Sequence, residues 1–238
     1  LFAPCGWMLD SYRFLCEVSL KIPGAQRITG KPAHMRIFWY YLGLGVFLLA
    51  IYACARRNEK HKDCRETADL CVSRRKKRLQ GIVFSCFIAF LLLFLLFPQK
   101  KSFEIDFLDV GQGDGIYLCT GGGTSMFIDG GSTDVKQVGK YRILPFLKAK
   151  GVSEISYWFV SHTDTDHVSG LKEVLVSGYR VEYLVFAKAV EKEAKTKELA
   201  ELARSHGTKV FYMQAGDTVR SKRAAMRCLY PKAADKAE

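Results

Sequence analysis

The segment ISYWFVSHTDTDHVSGLKEVL (residues 155–175) combines three patterns that decide the fold. The apolar run Ile155–Val160 is typical of a buried strand, and Leu171–Val176 has the spacing of a short helix. The residues between them are polar and include two histidines and two aspartates. Functional side chains often follow buried strands, because the rigid strand aims them while the loop keeps them accessible. The segment therefore predicts an α/β domain with a functional site at the end of a strand.

The sequence on both sides extends this pattern. Upstream, the alternation in Phe103–Asp109 predicts a strand, and Ile116–Thr120 and Ser125–Asp129 predict a hairpin across three glycines. Downstream, predicted helices and strands alternate: helix Tyr141–Lys150, strand Val181–Phe186, helix Glu191–His206, strand Lys209–Met213 and strand Met226–Tyr230. Antiparallel strands followed by strand–helix alternation indicate a mixed α/β sandwich.

Four side chains after the central strand form a dense set of nitrogen and oxygen ligands: His162, Asp164, Asp166 and His167. Two aspartates this close repel each other unless a cation lies between them. In the alternative interpretation, Asp164 and Asp166 cap the next helix, which leaves both histidines without a role. The run therefore predicts a site for a divalent metal, zinc or manganese.

The run is similar to the His-x-His-x-Asp-His signature of the metallo-β-lactamase superfamily, with Asp164 in place of the second histidine. Together with FLDVGQGD (107–114), it resembles the C-terminal hydrolase domain of ComEC-type DNA-internalisation proteins of natural competence. The resemblance implies a partial metallo-β-lactamase-like αββα sandwich, with residues 99–238 as its N-terminal half. The missing half usually supplies further ligands, and nothing after His167 resembles one. We therefore expect the chain to be a fragment.

The same resemblance implies a role for each ligand. His162 and Asp164 would help to hold a first ion, and Asp166 and His167 would help to hold a second. Asp166 would also orient the attacking water and receive its proton, which makes it the predicted catalytic residue.

Two further aspartates are predicted to support the metal loop. Asp129, in FIDGG (127–131), matches the first motif of the superfamily and would hold the loop from behind the ligands. An aspartate in a glycine turn is the structural alternative. Asp114 is predicted to lie in a tight turn beside the metal and to hydrogen-bond to backbone.

Two uncharged segments, Ile37–Cys54 and Leu79–Phe97, have the length of membrane spans. The loop 55–78 between them carries ten Lys/Arg against four Asp/Glu, and short basic loops stay in the cytoplasm. Residues 37–98 are thus predicted to form two transmembrane helices in the bacterial cell membrane. Residues 1–36 would be an extracytoplasmic or interfacial segment, and the hydrolase domain would lie outside the cytoplasm.

The net charge of +12 is concentrated beside these helices. The first 98 residues hold 15 Lys/Arg against 6 Asp/Glu, whereas the remainder holds 21 against 18. Membrane topology accounts for this basicity without a nucleic-acid surface. The eight cysteines include no Cys-x-x-Cys pair, which argues against a cysteine zinc cluster.

Three function classes remain open from the sequence. The resemblance implies a DNA-uptake protein with a nuclease-like outer domain, acting on single-stranded DNA beside other competence proteins. A membrane-anchored metallo-hydrolase of another ester, amide or phosphate is the second class, because fold does not fix substrate. A non-catalytic module of a transport channel is the third.

The predicted topology can be tested with a reporter enzyme fused after Tyr230. The positive-inside rule predicts activity only for a reporter that works outside the cytoplasm. Equal activity of a cytoplasmic reporter at the same position would contradict the two-span arrangement.

Overall fold

The computed structural model describes residues 3–22, 27–60, 70–97, 101–221 and 224–231. The chain divides into two compact units, one of residues 31–99 and one that combines residues 1–30 with 100–238. Predictions that concern residues 61–69, in the middle of the basic loop, or the residues after 231 lie outside the described part.

The smaller unit is a helical hairpin of α2 (His34–Lys60) and α3 (Leu70–Leu96). Phe47 of α2 stacks on Phe84 and Phe87 of α3, with ring centroids 5.5 and 4.1 Å apart. The guanidinium of Arg36, near the start of α2, donates a hydrogen bond to the carbonyl of Phe97, just after α3 ends. Aromatic contacts in the middle and a polar contact at the open end thus hold the two helices together.

Both helices are longer than the apolar segments from which they were predicted. Helix occupies residues 55–60 and 70–78, which were assigned to the loop, because Arg, Lys and Glu are good helix formers. Within the described residues, one stretch is long and apolar enough to cross a membrane: His34–Ala53, with a mean hydropathy of 1.5. The apolar part of α3 described there, Gly81–Leu96, is shorter, so the second span stays a prediction.

Residues Ala3–Leu20 form helix α1, which covers most of the predicted extracytoplasmic or interfacial segment. Large apolar side chains along it are exposed, including Trp7, Tyr12, Phe14 and Leu15. Its predicted location at the membrane interface remains a prediction.

The larger unit contains a six-stranded sheet in the order β1-β2-β3-β4-β5-β6. The strands are β1 (Glu104–Phe107), β2 (Gly115–Cys119), β3 (Ser125–Asp129), β4 (Glu154–Val160), β5 (Arg180–Ala187) and β6 (Lys209–Met213). The first three pair antiparallel, and β3 to β6 pair parallel. A second, two-stranded sheet pairs β7 (Thr218–Arg220) with β8 (Ala225–Arg227). The prediction of an α/β fold with a mixed sheet is confirmed, whereas the specific metallo-β-lactamase-like sandwich stays a prediction.

Three helices pack on one face of the large sheet: α4 (Leu144–Ala149), α5 (Thr165–Val176) and α6 (Ala194–Ser205). The core on this face centres on Trp158 of β4, which is fully buried and stacks on Phe127 of β3 at 4.5 Å. Leu171 and Leu175 of α5 enter the same core. Because the helices connect parallel strands, they bring their first turns to the carboxyl edge of the sheet.

The opposite face of the sheet carries a row of aromatic side chains. Tyr157 stacks on Tyr183 at 5.0 Å, and Tyr183 contacts Phe211 at 5.5 Å, so the row crosses β4, β5 and β6. Phe211 is 51% exposed, and Phe107 at the β1 edge is 78% exposed. Within the described part of the chain, this face of the sheet is therefore partly exposed to solvent.

Three elements differ from the predictions. Helix α5 begins at Thr165 rather than Leu171, so the second half of the metal motif is helical. A π-helical turn, Gly139–Ile143, precedes α4 and replaces the regular start of the predicted helix. The last predicted strand, Met226–Tyr230, is β8 and ends at Arg227; its partner β7 was not predicted, because its three residues carry too weak a pattern.

Adjacent residues of α5 provide a matched test of the core. Leu175 is 1% exposed and Val176 is 65% exposed. We expect Leu175→Ala to lower the free energy of unfolding by about 2–5 kcal/mol, because it leaves a cavity against the sheet. Val176→Ala should change it by less than about 0.5 kcal/mol.

Urea titration of the full chain in detergent, followed by the fluorescence of buried Trp158 with Trp7 and Trp39 replaced by Phe in every sample, would measure both variants. Similar losses in the two variants would contradict the placement of α5 on the sheet.

Candidate metal centre

The candidate site lies at the carboxyl edge of the parallel strands β3 and β4. Asp129 is the last residue of β3, and Ser161 and His162 directly follow β4. Because Phe127 pairs with Trp158 and Ile128 with Phe159, the two strands end side by side. Residues from the two strand ends are thus brought together by the register of the sheet.

Asp129 is a buried carboxylate that links the two strand ends. One of its oxygens accepts a hydrogen bond from the Ser161 amide (2.8 Å), and the other accepts one from the Ser161 hydroxyl (2.9 Å). Its carbonyl accepts a hydrogen bond from the indole of Trp158 at 2.6 Å. Its φ of 58° lies in the left-handed region, which aspartate tolerates better than most residues. This conformation turns the chain sharply at the end of the strand while the carboxylate faces β4.

His167, in the first turn of α5, lies at the centre of the site and is 8% exposed. Its Nδ1 lies 3.1 Å from a carboxylate oxygen of Asp129 and 3.8 Å from one of Asp114. Its Nε2 lies 3.4 Å from a carboxylate oxygen of Asp166, and its ring centroid is 3.7 Å from that of His162. The predicted residues His162, Asp166 and His167 are therefore adjacent.

Two groups of side chains could each hold a metal ion. His162, Asp166 and His167 form one, and Asp114, Asp129 and His167 form the other, with ligand atoms within 4.8 Å of one another in each. The donor set suits a divalent ion: imidazole nitrogens and carboxylate oxygens, with three carboxylates around one buried histidine. A carboxylate on one ring nitrogen of a histidine also fixes the other nitrogen for a metal. The Asp129 carboxylate contacts His167 Nδ1 in this way, which leaves His167 Nε2 facing Asp166.

Asp164 stands apart from these groups in the described structure. One carboxylate oxygen pairs with the ammonium of Lys195 at 3.0 Å, and the other lies 4.0 Å from His162 Nε2. The hydrogen bond and charge of Lys195 lower the pKa of Asp164 below its ordinary value. Asp164 precedes α5 as its N-terminal cap residue, but its side chain makes no capping hydrogen bond. The geometry therefore does not favour the alternative in which the Asp164 side chain caps the helix.

Asp114 approaches the site through both its side chain and its peptide group. Its carbonyl accepts a hydrogen bond from Gly130 N at 2.7 Å, and its amide donates one to the Asp166 carbonyl at 3.4 Å. The chain bends at Gly111–Gly113, directly before Asp114, and the tight turn beside the metal stays a prediction. The backbone contacts come from the peptide group of Asp114, while its carboxylate faces His167.

Close backbone contacts hold the three loops of the site together. A Cβ on Gly131 would lie 2.4 Å from the carbonyl oxygen of Thr165, and one on Gly113 would lie 2.5 Å from that of Asp166. Both positions require glycine for this reason. The first turn of α5 is thus packed directly against the loops that follow β1 and β3.

A second layer of hydrogen bonds fixes the same loops from outside. The carboxylate of Asp134 accepts hydrogen bonds from Gln112 N (2.7 Å) and the Ser132 hydroxyl (2.8 Å). These bonds lower the pKa of Asp134. The guanidinium of Arg142 pairs with Asp109 at 2.7 Å and lowers the pKa of that carboxyl.

Two residues of the site were not predicted from the sequence. The hydroxyl of Ser161 lies 3.0 Å from His162 Nδ1 and 3.4 Å from His167 Nδ1, in addition to its bond with Asp129. Its place immediately after the buried strand was a usable signal. Lys195 carried none, because it lies 31 residues from Asp164 in a polar helix.

Fold and site together define an α/β protein with a candidate metal centre at the carboxyl edge of a mixed sheet. No family model matches the chain. It is 27% identical over 184 residues to ComE operon protein 3 of Bacillus subtilis, a match that covers 71% of the chain and 24% of that protein. It is 31% identical over 106 residues to Recombination protein 2 of Haemophilus influenzae, a match that covers 44% of the chain and 13% of that protein.

These matches confirm, at modest identity, the resemblance to ComEC-type competence proteins that the motifs predicted. The chain spans no more than about a quarter of the length of either relative.

The close approach of Gly131 to α5 gives a test of the site architecture. We expect Gly131→Ala to destabilise the larger unit by about 1–3 kcal/mol, because backbone must move to admit the methyl group. Gly45→Ala in α2 is the control, since nothing lies within 4 Å of its added Cβ. Urea titration measures both, and an unchanged unfolding midpoint for Gly131→Ala would contradict the described packing.

Proposed function

We propose that the chain is part of a bacterial DNA-uptake protein of natural competence, and that residues 99–238 belong to a metal-dependent phosphodiesterase. The observation that carries the proposal is the convergence of His162, Asp166 and His167 at the end of β4, with Asp129 holding His167 from behind. The similarity to ComEC-type proteins supports the biological setting.

The residues at the site fit a divalent ion, zinc or manganese. His162, Asp166 and His167 are proposed as ligands, and Asp164 as a further ligand once its carboxylate leaves Lys195. The Asp114 carboxylate lies 3.8 Å from His167 Nδ1 and is proposed as an oxygen ligand of a second ion. A divalent ion in such a site supplies a water of lowered pKa and neutralises charge on a phosphate.

Three residues of the site then have distinct roles in the proposed phosphodiester hydrolysis. Asp166, half-buried beside His167, is the proposed general base that orients the attacking water and accepts its proton. Asp129 keeps the ring of His167 in one orientation through its 3.1 Å contact with Nδ1. The Ser161 hydroxyl contacts Asp129 and both histidines and so helps to fix their relative positions.

Among the described residues, α2 provides one candidate membrane span. We propose that α3 forms a second span, with its apolar segment continued by flanking residues, and that the hydrolase domain lies outside the cytoplasm. The partners proposed for the whole protein are single-stranded DNA and other competence proteins. Hydrolysis of a small ester but not of DNA would favour the second function class, and uptake unaffected by Asp166→Ala would favour the third.

Metal content provides the direct test of the centre. We expect His162→Ala to weaken Mn²⁺ or Zn²⁺ binding by about tenfold or more, because a direct ligand is lost. His206→Ala is the matched control, since its ring contacts the Leu202 carbonyl and Ser205 at the end of α6 and, within the described residues, no carboxylate. Elemental analysis after equilibrium dialysis of the full chain in detergent measures bound metal.

The same samples can be assayed for cleavage of single-stranded DNA with and without the metal. Equal metal content in His162→Ala, His206→Ala and the unaltered chain would contradict the proposed centre. Metal binding without any DNA cleavage would contradict the phosphodiesterase assignment while leaving the centre in place.

A further inference from the structure

Lys195 is a cation at the candidate metal centre that the proposed reaction has not yet used. Its ammonium lies 3.0 Å from the Asp164 carboxylate, although the two residues belong to different elements. Among the described residues, it is the one Lys or Arg with an ion pair to any of His162, Asp164, Asp166 or His167.

The position of Lys195 follows from the parallel topology. It lies in the first turn of α6, the helix that follows β5, and β5 runs parallel to β4. The ends of β3, β4 and β5 therefore share one edge of the sheet, with Lys195 beside the metal residues. Ligands of open α/β sheets bind at this edge.

The negative charge of the site makes a nearby cation important for binding an anionic substrate. Four carboxylates surround the centre, those of Asp114, Asp129, Asp164 and Asp166, so a phosphodiester anion needs positive charge to approach. The Lys195 side chain is 69% exposed, and its ammonium has three N–H donors, of which Asp164 uses one. An exposed ion pair of this kind contributes only about 0–1 kcal/mol, so its exchange for another partner costs little.

We propose that Lys195 binds the phosphate of a single-stranded DNA substrate at the mouth of the metal centre. This inference rests on the proposed function. In the absence of metal, Lys195 neutralises Asp164. When Asp164 serves the ion, the ammonium is released toward the substrate anion.

The salt dependence of DNA binding tests this contact without relying on catalysis. Each phosphate neutralised on a single strand contributes about 0.7 to the slope of log Kd against log salt concentration. With Mn²⁺ bound, we expect Lys195→Met to reduce this slope by about 0.7 and to weaken binding about two- to fivefold at low salt. Lys195→Arg should retain the slope, because the charge remains.

Lys197→Met is the matched control, since Lys197 is exposed on the same helix and its side chain has no partner in the described structure. The probe is a phosphorothioate single strand of about 12 nucleotides, which resists cleavage. Binding is measured with the full chain in detergent, with and without Mn²⁺, and Mn²⁺ content is determined on the same samples.

A slope that is unchanged in Lys195→Met, or lowered as much in Lys197→Met, overturns the inference. Absence of bound Mn²⁺ from the same samples overturns the proposed function instead, so the measured Mn²⁺ content distinguishes the two failures.

Discussion

The buried carboxylate of Asp129 is the interaction on which the site depends. It joins the end of β3 to the end of β4 through Ser161 and fixes His167 at the start of α5. A buried carboxylate is costly unless its oxygens are hydrogen-bonded or paired, and here both oxygens have partners. The same residue is held by Trp158 at the centre of the core. Hydrophobic packing and site geometry are therefore coupled at one position, so a shift of the core also moves the candidate ligands.

The glycines around Asp129 explain why the ligand loop can lie so close to the sheet. Gly131 and Gly113 let the loops after β3 and β1 touch the backbone of residues 165–166, where any side chain would overlap. This proximity brings Asp114 within reach of His167. The result is a concentration of negative charge that the described cations compensate only in part. A divalent ion matches this imbalance better than further lysines would, because it can bind several oxygens at once.

The predictable features are those with a local pattern. The strands of the large sheet, the hairpin at Gly121–Gly123 and the adjacency of His162 and His167 follow from alternation, turn residues and spacing. The start of α5 at Thr165 could not be predicted in this way, because its first turn is polar and its apolar periodicity begins only later. The Asp164–Lys195 ion pair could not be predicted from the sequence either, since an exposed contact between residues far apart in the chain produces no periodic pattern. Nor could the sequence place the Asp114 carboxylate beside His167, because that depends on how three loops pack.

The arrangement of the candidate ligands has a consequence for the dynamics of the sheet. Asp114 directly precedes β2 in the antiparallel part of the sheet, and His167 lies in a helix of the parallel part, so an ion held by the group of Asp114, Asp129 and His167 would cross-link the two parts. Such a link restricts partly opened states of the chain, as any closure of a long loop does. It would therefore slow hydrogen exchange at amides of β2 that touch no ligand. Metal binding would then increase the protection of amides against hydrogen exchange in strands away from the centre as well as at the centre itself.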